Sequence, residues 1–216
     1  MPDRIASSRK YKVTNLKIIG EINGTDLRMI REMAGHNFNG NSTDGKLSVL
    51  DLSEAKIVKG GDCYYNDNYS NYYTYNNVIG SYAFKGCSVL TSLTLPAGIT
   101  SIGDEAFRGC SGLTSIYVYA EKVPKIGWDV FVGVDAKKCT VYVPMGTRDD
   151  YCASDFGDYF ENIVEFEATG IDKTTTSTDV EEVVRYSVNG QRLSAPTKGL
   201  NIVKYSDGSV KKVAVR

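Results

Sequence analysis

The chain has one histidine, one tryptophan, five prolines and five cysteines among 216 residues. His36 alone, with no Cys-x-x-Cys pair, supplies neither a zinc ligand set nor a Cys/His nucleophile. No run of about 18 apolar residues occurs, so no segment reads as a membrane-spanning helix. Neither sign of charge prevails: 25 Lys plus Arg stand against 26 Asp plus Glu. A chain without basic excess lacks the footprint that nucleic acid demands. The opening MPDRIASSRK lacks the apolar core of a secretory signal, which leaves two readings, a cytosolic chain or a mature fragment carrying a new Met.

What is present is a repetition. Ile79–Ser92 (IGSYAFKGCSVLTS) and Ile102–Ser115 (IGDEAFRGCSGLTS) agree at ten of fourteen positions, and Phe84/Phe107, Cys87/Cys110 and Leu90/Leu113 are each 23 apart. A fixed period in this range with a Leu-x-x-Leu-x-Leu core marks a leucine-rich solenoid. In the unit Leu90–Gly112, Leu93 and Leu95 alternate with Ser92 and Thr94, giving a short strand with one buried face. Pro96 and Gly98 end it. Ile99 and Ile102 form a second inward-facing segment, and Asp104 is expected to start a short helical turn closed by Gly109. One coil cannot cover its own apolar side chains; stacking coils about 4.8 Å apart buries them in a column. The repeat-phased Cys87 and Cys110 then read as small buried apolar groups.

The flanks are less regular. Leu16–Ile18 and Leu47–Leu52 have strand spacing. Leu27, Ile30, Met33 and Ala34 predict a helix capped by Thr25 or Asp26 and closed by Gly35, forming a first, atypical coil. Gly60–Asn77 (GGDCYYNDNYSNYYTYNN) has no aliphatic residue and six tyrosines, so it is expected to lie on the surface as an insertion. It is either a hairpin packing its rings on the neighbouring coil or a recognition loop using Tyr69, Tyr72 and Tyr73. Its Asp and Asn residues fit no calcium-loop spacing. Ile126–Phe131 echoes Ile102–Phe107 at a shift of 24, Thr140–Pro144 echoes the strand, Asp149–Phe160 reads as a last helix or turn, and Ile163–Phe166 as a closing strand. Thr169–Asp179 reads as a Thr-rich linker. Beyond it, Asn189-Gly190 and Asp207-Gly208 predict hairpin turns in a small antiparallel module expected to pack on the solenoid. The division expected is 1–168 solenoid, 169–180 linker and 181–216 C-terminal β module.

The blocks IGSYAFKGCSVLTSLTLPAGITSIGDEAFRGCSGLTSI and CTVYVPMGTRDDYCASDFGDYFENIVEF resemble the BspA-type leucine-rich-repeat family of bacterial surface proteins. The first is similar to that family's repeat. The second is similar to its terminal coil, through Val143, Pro144, Gly146, Tyr151 and Asn162–Glu165. Leu16–Asp51 is similar to an N-terminal coil often attached to it, so the resemblance spans about Val13–Phe166. The tail resembles C-terminal β modules of exported proteins. The fold expected is a right-handed leucine-rich-repeat solenoid of about five coils with a parallel sheet, plus the small antiparallel module. The resemblance implies an extracellular or outer-surface protein, some relatives of which adhere to host extracellular matrix; it brings no catalytic residue and no cofactor.

Aligning the inward pairs Leu16/Ile18, Leu50/Leu52, Leu93/Leu95, Ile116/Val118 and Val141/Val143 leaves Lys17, Asp51, Thr94, Tyr117 and Tyr142 facing outward, with Tyr119 two residues beyond Tyr117. The tyrosines Tyr117, Tyr119 and Tyr142 are candidate ligand-contacting residues, unless the terminal coil or the tail covers them. Four functions compete: a protein-binding or adhesion module, a glycan-binding accessory protein, a structural surface subunit, and an enzyme using Asp149/Asp150 or Asp104/Glu105. Carboxylates adjacent in sequence suit turns and caps better than a glycosidase cleft.

Overall fold

The computed structural model describes residues 5, 9–167, 182–187, 192, 193, 195, 199–205 and 210–215. The chain divides into two compact units, Met1–Ala168 and Thr169–Arg216.

In the first unit the strands β1 (Asn15–Ile22), β2 (Val49–Ile57), β6 (Ser92–Leu95), β8 (Ser115–Val118), β10 (Thr140–Pro144) and β11 (Ile163–Phe166) form one six-stranded sheet in that order, every pair parallel. Parallel neighbours require a full coil of chain between them. The register brings Leu50, Leu93, Ile116, Val141 and Ile163 onto one row, in steps of 23 (Leu93 to Ile116), 25 (Ile116 to Val141) and 22 residues (Val141 to Ile163). These side chains are buried, as are Leu95, Val118 and Val143. Leu16, on the open edge strand, is only half-buried, while Ile18 is buried. Between the long strands lie the β3 (Gly60–Asn66) and β4 (Asn71–Thr74) hairpin and a second parallel sheet of β5 (Val78–Ile79), β7 (Ser101–Ile102) and β9 (Lys125–Ile126).

The third side of each coil is not the helical turn expected at Asp104. Tyr82, Glu105 and Asp129 have φ of 62°, 52° and 55°, and Gly86, Gly109 and Gly133 are also left-handed. A left-handed residue breaks the α-helical run. It turns alternate N–H groups toward the next coil, where Tyr82, Phe84 and Gly86 donate to the carbonyls of Asp104, Ala106 and Arg108 at 2.9, 2.7 and 2.8 Å. Glu105, Phe107 and Gly109 donate likewise to Trp128, Val130 and Val132 at 2.9, 3.0 and 2.8 Å. Inside this ladder the rings of Phe84, Phe107 and Phe131 stack in one column. Cys87 and Cys110 are fully buried, and the Cys110 thiol donates to the Phe84 carbonyl at 3.1 Å.

A ladder has open ends. By the repeat register, the carbonyls of Ser81, Ala83 and Lys85 have no preceding coil to donate to them. The Tyr64 hydroxyl donates to Ser81 at 2.9 Å. Arg31, fully buried on α1 (Gly24–Met33), donates to Ala83 at 2.8 Å, to Lys85 at 3.3 Å and to Tyr82 at 2.6 Å. The guanidinium also lies over the Tyr65 ring, 4.7 Å from its centroid. Its fork of donors replaces the missing N–H groups. The tyrosine-rich insertion is the hairpin that packs its rings on the neighbouring coil, Tyr65 stacking on Tyr82, but the expectation that it stays on the surface is corrected: Tyr64 and Tyr65 are buried members of the core. A phenol ring is accepted inside once its hydroxyl has a partner. The cap of α1 also differs from expectation: Asn23 accepts from Thr25 N at 3.0 Å, while Asp26 accepts from Asn23 N at 3.1 Å.

At the far end, α2 (Arg148–Cys152) and α3 (Asp155–Tyr159) precede β11. Phe156 and Phe160 close on Phe131, and the buried Tyr151 hydroxyl donates to the Ala120 carbonyl at 2.7 Å.

In the second unit, β12 (Glu182–Ser187), β13 (Arg192–Leu193), β14 (Gly199–Tyr205) and β15 (Val210–Val215) form an antiparallel sheet in the order β13-β12-β14-β15. The linker Thr169–Asp179 and the turns at Asn189-Gly190 and Asp207-Gly208 lie outside the described residues.

Candidate interaction surface

The outward row of the long sheet runs Lys17, Asp51, Thr94, Tyr117, Tyr142, Val164, one residue per strand across all six strands. Its two halves differ in chemistry. At the β1 end, Lys17 pairs with Asp51 at 3.4 Å and with Glu54 at 2.7 Å. At the β11 end the row is aromatic. The rings of Tyr117 and Tyr142 lie 4.4 Å apart and 9° from parallel, an offset consistent with adjacent strands of a parallel sheet. Phe166 sets its edge against Tyr117 at 5.8 Å and Tyr119 at 4.9 Å. All four rings are half-buried, and Val164 beside them is exposed. Burial raises the Tyr117 hydroxyl pKa, with Tyr142 and Tyr119 adding to the shift.

The sheet therefore gathers Tyr117, Tyr119 and Tyr142 into one patch. Phe166 and Val164 belong to it and were missed; the signal was available, since Ile163 carries the inward register into the closing strand and leaves Val164 and Phe166 facing out.

The hairpin tyrosines are separate. Tyr69 is 96% exposed at the tip, where Asp67 accepts from the N–H groups of Tyr69 (3.0 Å) and Ser70 (2.7 Å) and holds the turn. Tyr73 is exposed. Tyr72 turns inward instead: it packs its edge on Tyr82 at 4.8 Å, and its hydroxyl donates to Asp67 at 3.0 Å. Among the described residues no ring contact links these tyrosines to those of the sheet.

Asp104 and Glu105 have local partners. Asp104 accepts from Trp128 N at 2.8 Å, and Glu105 pairs with Lys85 at 2.7 Å and Arg108 at 3.6 Å. Asp149 lies within the first turn of α2, where a negative charge suits the helix dipole. Among the described residues no group of His, Cys, Asp or Glu is arranged to hold a metal ion, and no helix is long and apolar enough to cross a membrane.

Residues 77–175 match the family of BspA type leucine-rich repeat regions. The chain carries a BspA-type leucine-rich repeat region. The matched stretch holds the 23-residue repeats, the phenylalanine column and the aromatic end of the sheet. The N-terminal coil and the tyrosine hairpin precede it. No curated protein matches the chain.

Proposed function

We propose that this BspA-type repeat protein is a non-enzymatic binding module that presents the β8–β10–β11 face to a protein partner at or outside the cell surface. The observation that carries this reading is the Tyr117–Tyr142 stack with Tyr119 and Phe166 around it. Contiguous, rigid aromatic area held by backbone pairing is the composition of interaction hot spots. The polar half of the row, with its Lys17–Asp51 pair, is the rim. Bacterial relatives of the repeat family suggest host extracellular matrix as the class of partner.

Ring geometry favours a protein over a glycan on this face. Tyr117 and Tyr142 turn a face toward each other, so what they offer is largely edges and hydroxyls. Tyr69 favours the alternative, since its exposed ring has free faces beside Asn66, Asn68 and Asn71; that reading makes the hairpin a glycan contact.

Pull-downs on a panel of matrix proteins test the main reading. Wild type is retained and Tyr117→Ala/Tyr142→Ala is not; equal retention of both removes the sheet face from consideration. A glycan array probed with wild type and Tyr69→Ala tests the alternative.

A further inference from the structure

Trp128 is the chain's single tryptophan and it is 85% exposed. The pairing of Ile102 with Ile126 puts it where the preceding coil has Asp104, and the coil before that has Ser81. The fold asks for a small polar residue here and uses only the Trp128 backbone, which hydrogen-bonds Asp104. The indole itself stands in water over a cleft of about 480 Å³. Ile126, Trp128 and Asp129 form one wall, and Asp155, Asp158 and Tyr159 of α3 the other.

The cleft is electronegative. Asp155 and Asp158 are exposed. Asp129 is held by Arg108 at 2.6 Å. The Tyr159 hydroxyl is pushed above its usual range first by burial, then by the Asp129 and Asp155 carboxylates, with the backbone of Asp129 and Val130 opposing. Asp155 and Asp158 also suit the start of α3. That role accounts for two carboxylates but not for a bare indole set opposite them.

We propose that this cleft takes an arginine or lysine side chain from an exposed segment of a partner protein, its cation lying on the Trp128 ring and between the Asp155 and Asp158 carboxylates. An indole face attracts a cation through its quadrupole. A guanidinium adds paired hydrogen bonds to carboxylate. A neutral sugar would use the ring without needing the charges, and an acidic segment is repelled.

Because there is one indole among 15 tyrosines, emission excited at the red edge, where tyrosine does not absorb, reads this cleft alone. Titration with a blocked Gly-Arg-Gly-Arg-Gly peptide gives a saturable change in Trp128 emission, weakened as NaCl rises from about 0.05 to about 0.3 M. The matching Glu peptide and maltohexaose give none. Asp155→Asn/Asp158→Asn, with circular dichroism unchanged, weakens the apparent Kd by roughly three- to tenfold, the scale of one or two partly exposed ion pairs. Asp149→Asn and Tyr117→Ala/Tyr142→Ala leave the response intact, which separates this cleft from the sheet face. The proposal is overturned if wild-type emission ignores the Arg peptide, responds equally to the Glu peptide, or responds to maltohexaose alone. It is equally overturned if the folded double Asn variant binds like wild type. Should that variant unfold, the wild-type salt and peptide series decides.

Discussion

The phenyl rings of Phe84 and Phe107 lie 5.5 Å apart and 6° from parallel, one coil above the next. Phe131 continues the stack below Phe107 at 5.6 Å and the same angle. Phe107 thus has a ring on both faces and no exposed surface. Truncation to alanine should cost about 3–5 kcal/mol, while Phe107→Leu should cost less because it leaves a smaller cavity. Urea unfolding of the full chain measures both. A loss below about 1 kcal/mol for the alanine variant would show that the column does not hold the coils together.

Arg31 is a second point of vulnerability, for a different reason. Replacing it with Met leaves the carbonyls of Ala83 and Lys85 without their donor, since the backbone ladder cannot reach them. The expected loss is about 2–4 kcal/mol. Arg31→Lys should not rescue it, because one ammonium cannot span the same acceptors. Tyr64→Phe, which uncovers only Ser81, should cost about 1–2 kcal/mol. Equilibrium unfolding of the three variants checks the order.

The thiols should divide sharply by position. Burial raises the Cys87 pKa to about 11, despite the opposing charge of Arg31, raises Cys139 to about 11, and puts Cys110 well above the usual thiol range. In native protein at pH 8 a thiol reagent should therefore label the exposed Cys152 and spare these three, as read by mass spectrometry. Rapid labelling of Cys110 before unfolding would contradict the packed repeat.

The same shifts fix the sign of an alkaline transition. A thiol whose pKa rises from 9.0 unfolded to about 11 folded contributes stability that is complete below pH 9 and lost as pH climbs toward 11. The buried hydroxyls of Tyr64 and Tyr151 are shifted upward as well and act in the same direction above pH 10. Thermal unfolding midpoints should fall between pH 9 and 11; a midpoint that rises there contradicts the burial of these groups.

The repeat itself was legible because it is local and periodic. Phe84, Phe107 and the inward leucines recur at fixed spacing, and strand register follows from it. Tyr117 and Tyr142 could be placed together from that register alone. The turn geometry could not, because Tyr82, Glu105 and Asp129 adopt left-handed backbone without the glycine that would announce it. Arg31, Tyr64 and Tyr65 were illegible for another reason. Arg31 and Tyr64 are buried against carbonyls 54 and 17 residues away, and Tyr65 against the ring of Tyr82; a charged or phenolic side chain carries no mark of a partner so distant. Trp128 escaped because its position in the repeat suggested a turn residue, and only the exposure of its ring sets it apart.

The most direct test of the proposed binding face is hydroxyl-radical footprinting of the full chain, free and bound to a matrix protein, with oxidation read at each tyrosine by mass spectrometry. Binding should protect Tyr117, Tyr119 and Tyr142 together and leave Tyr69 as reactive as in the free protein. Protection confined to Tyr69 and Tyr73, with the three sheet tyrosines unchanged, would contradict it.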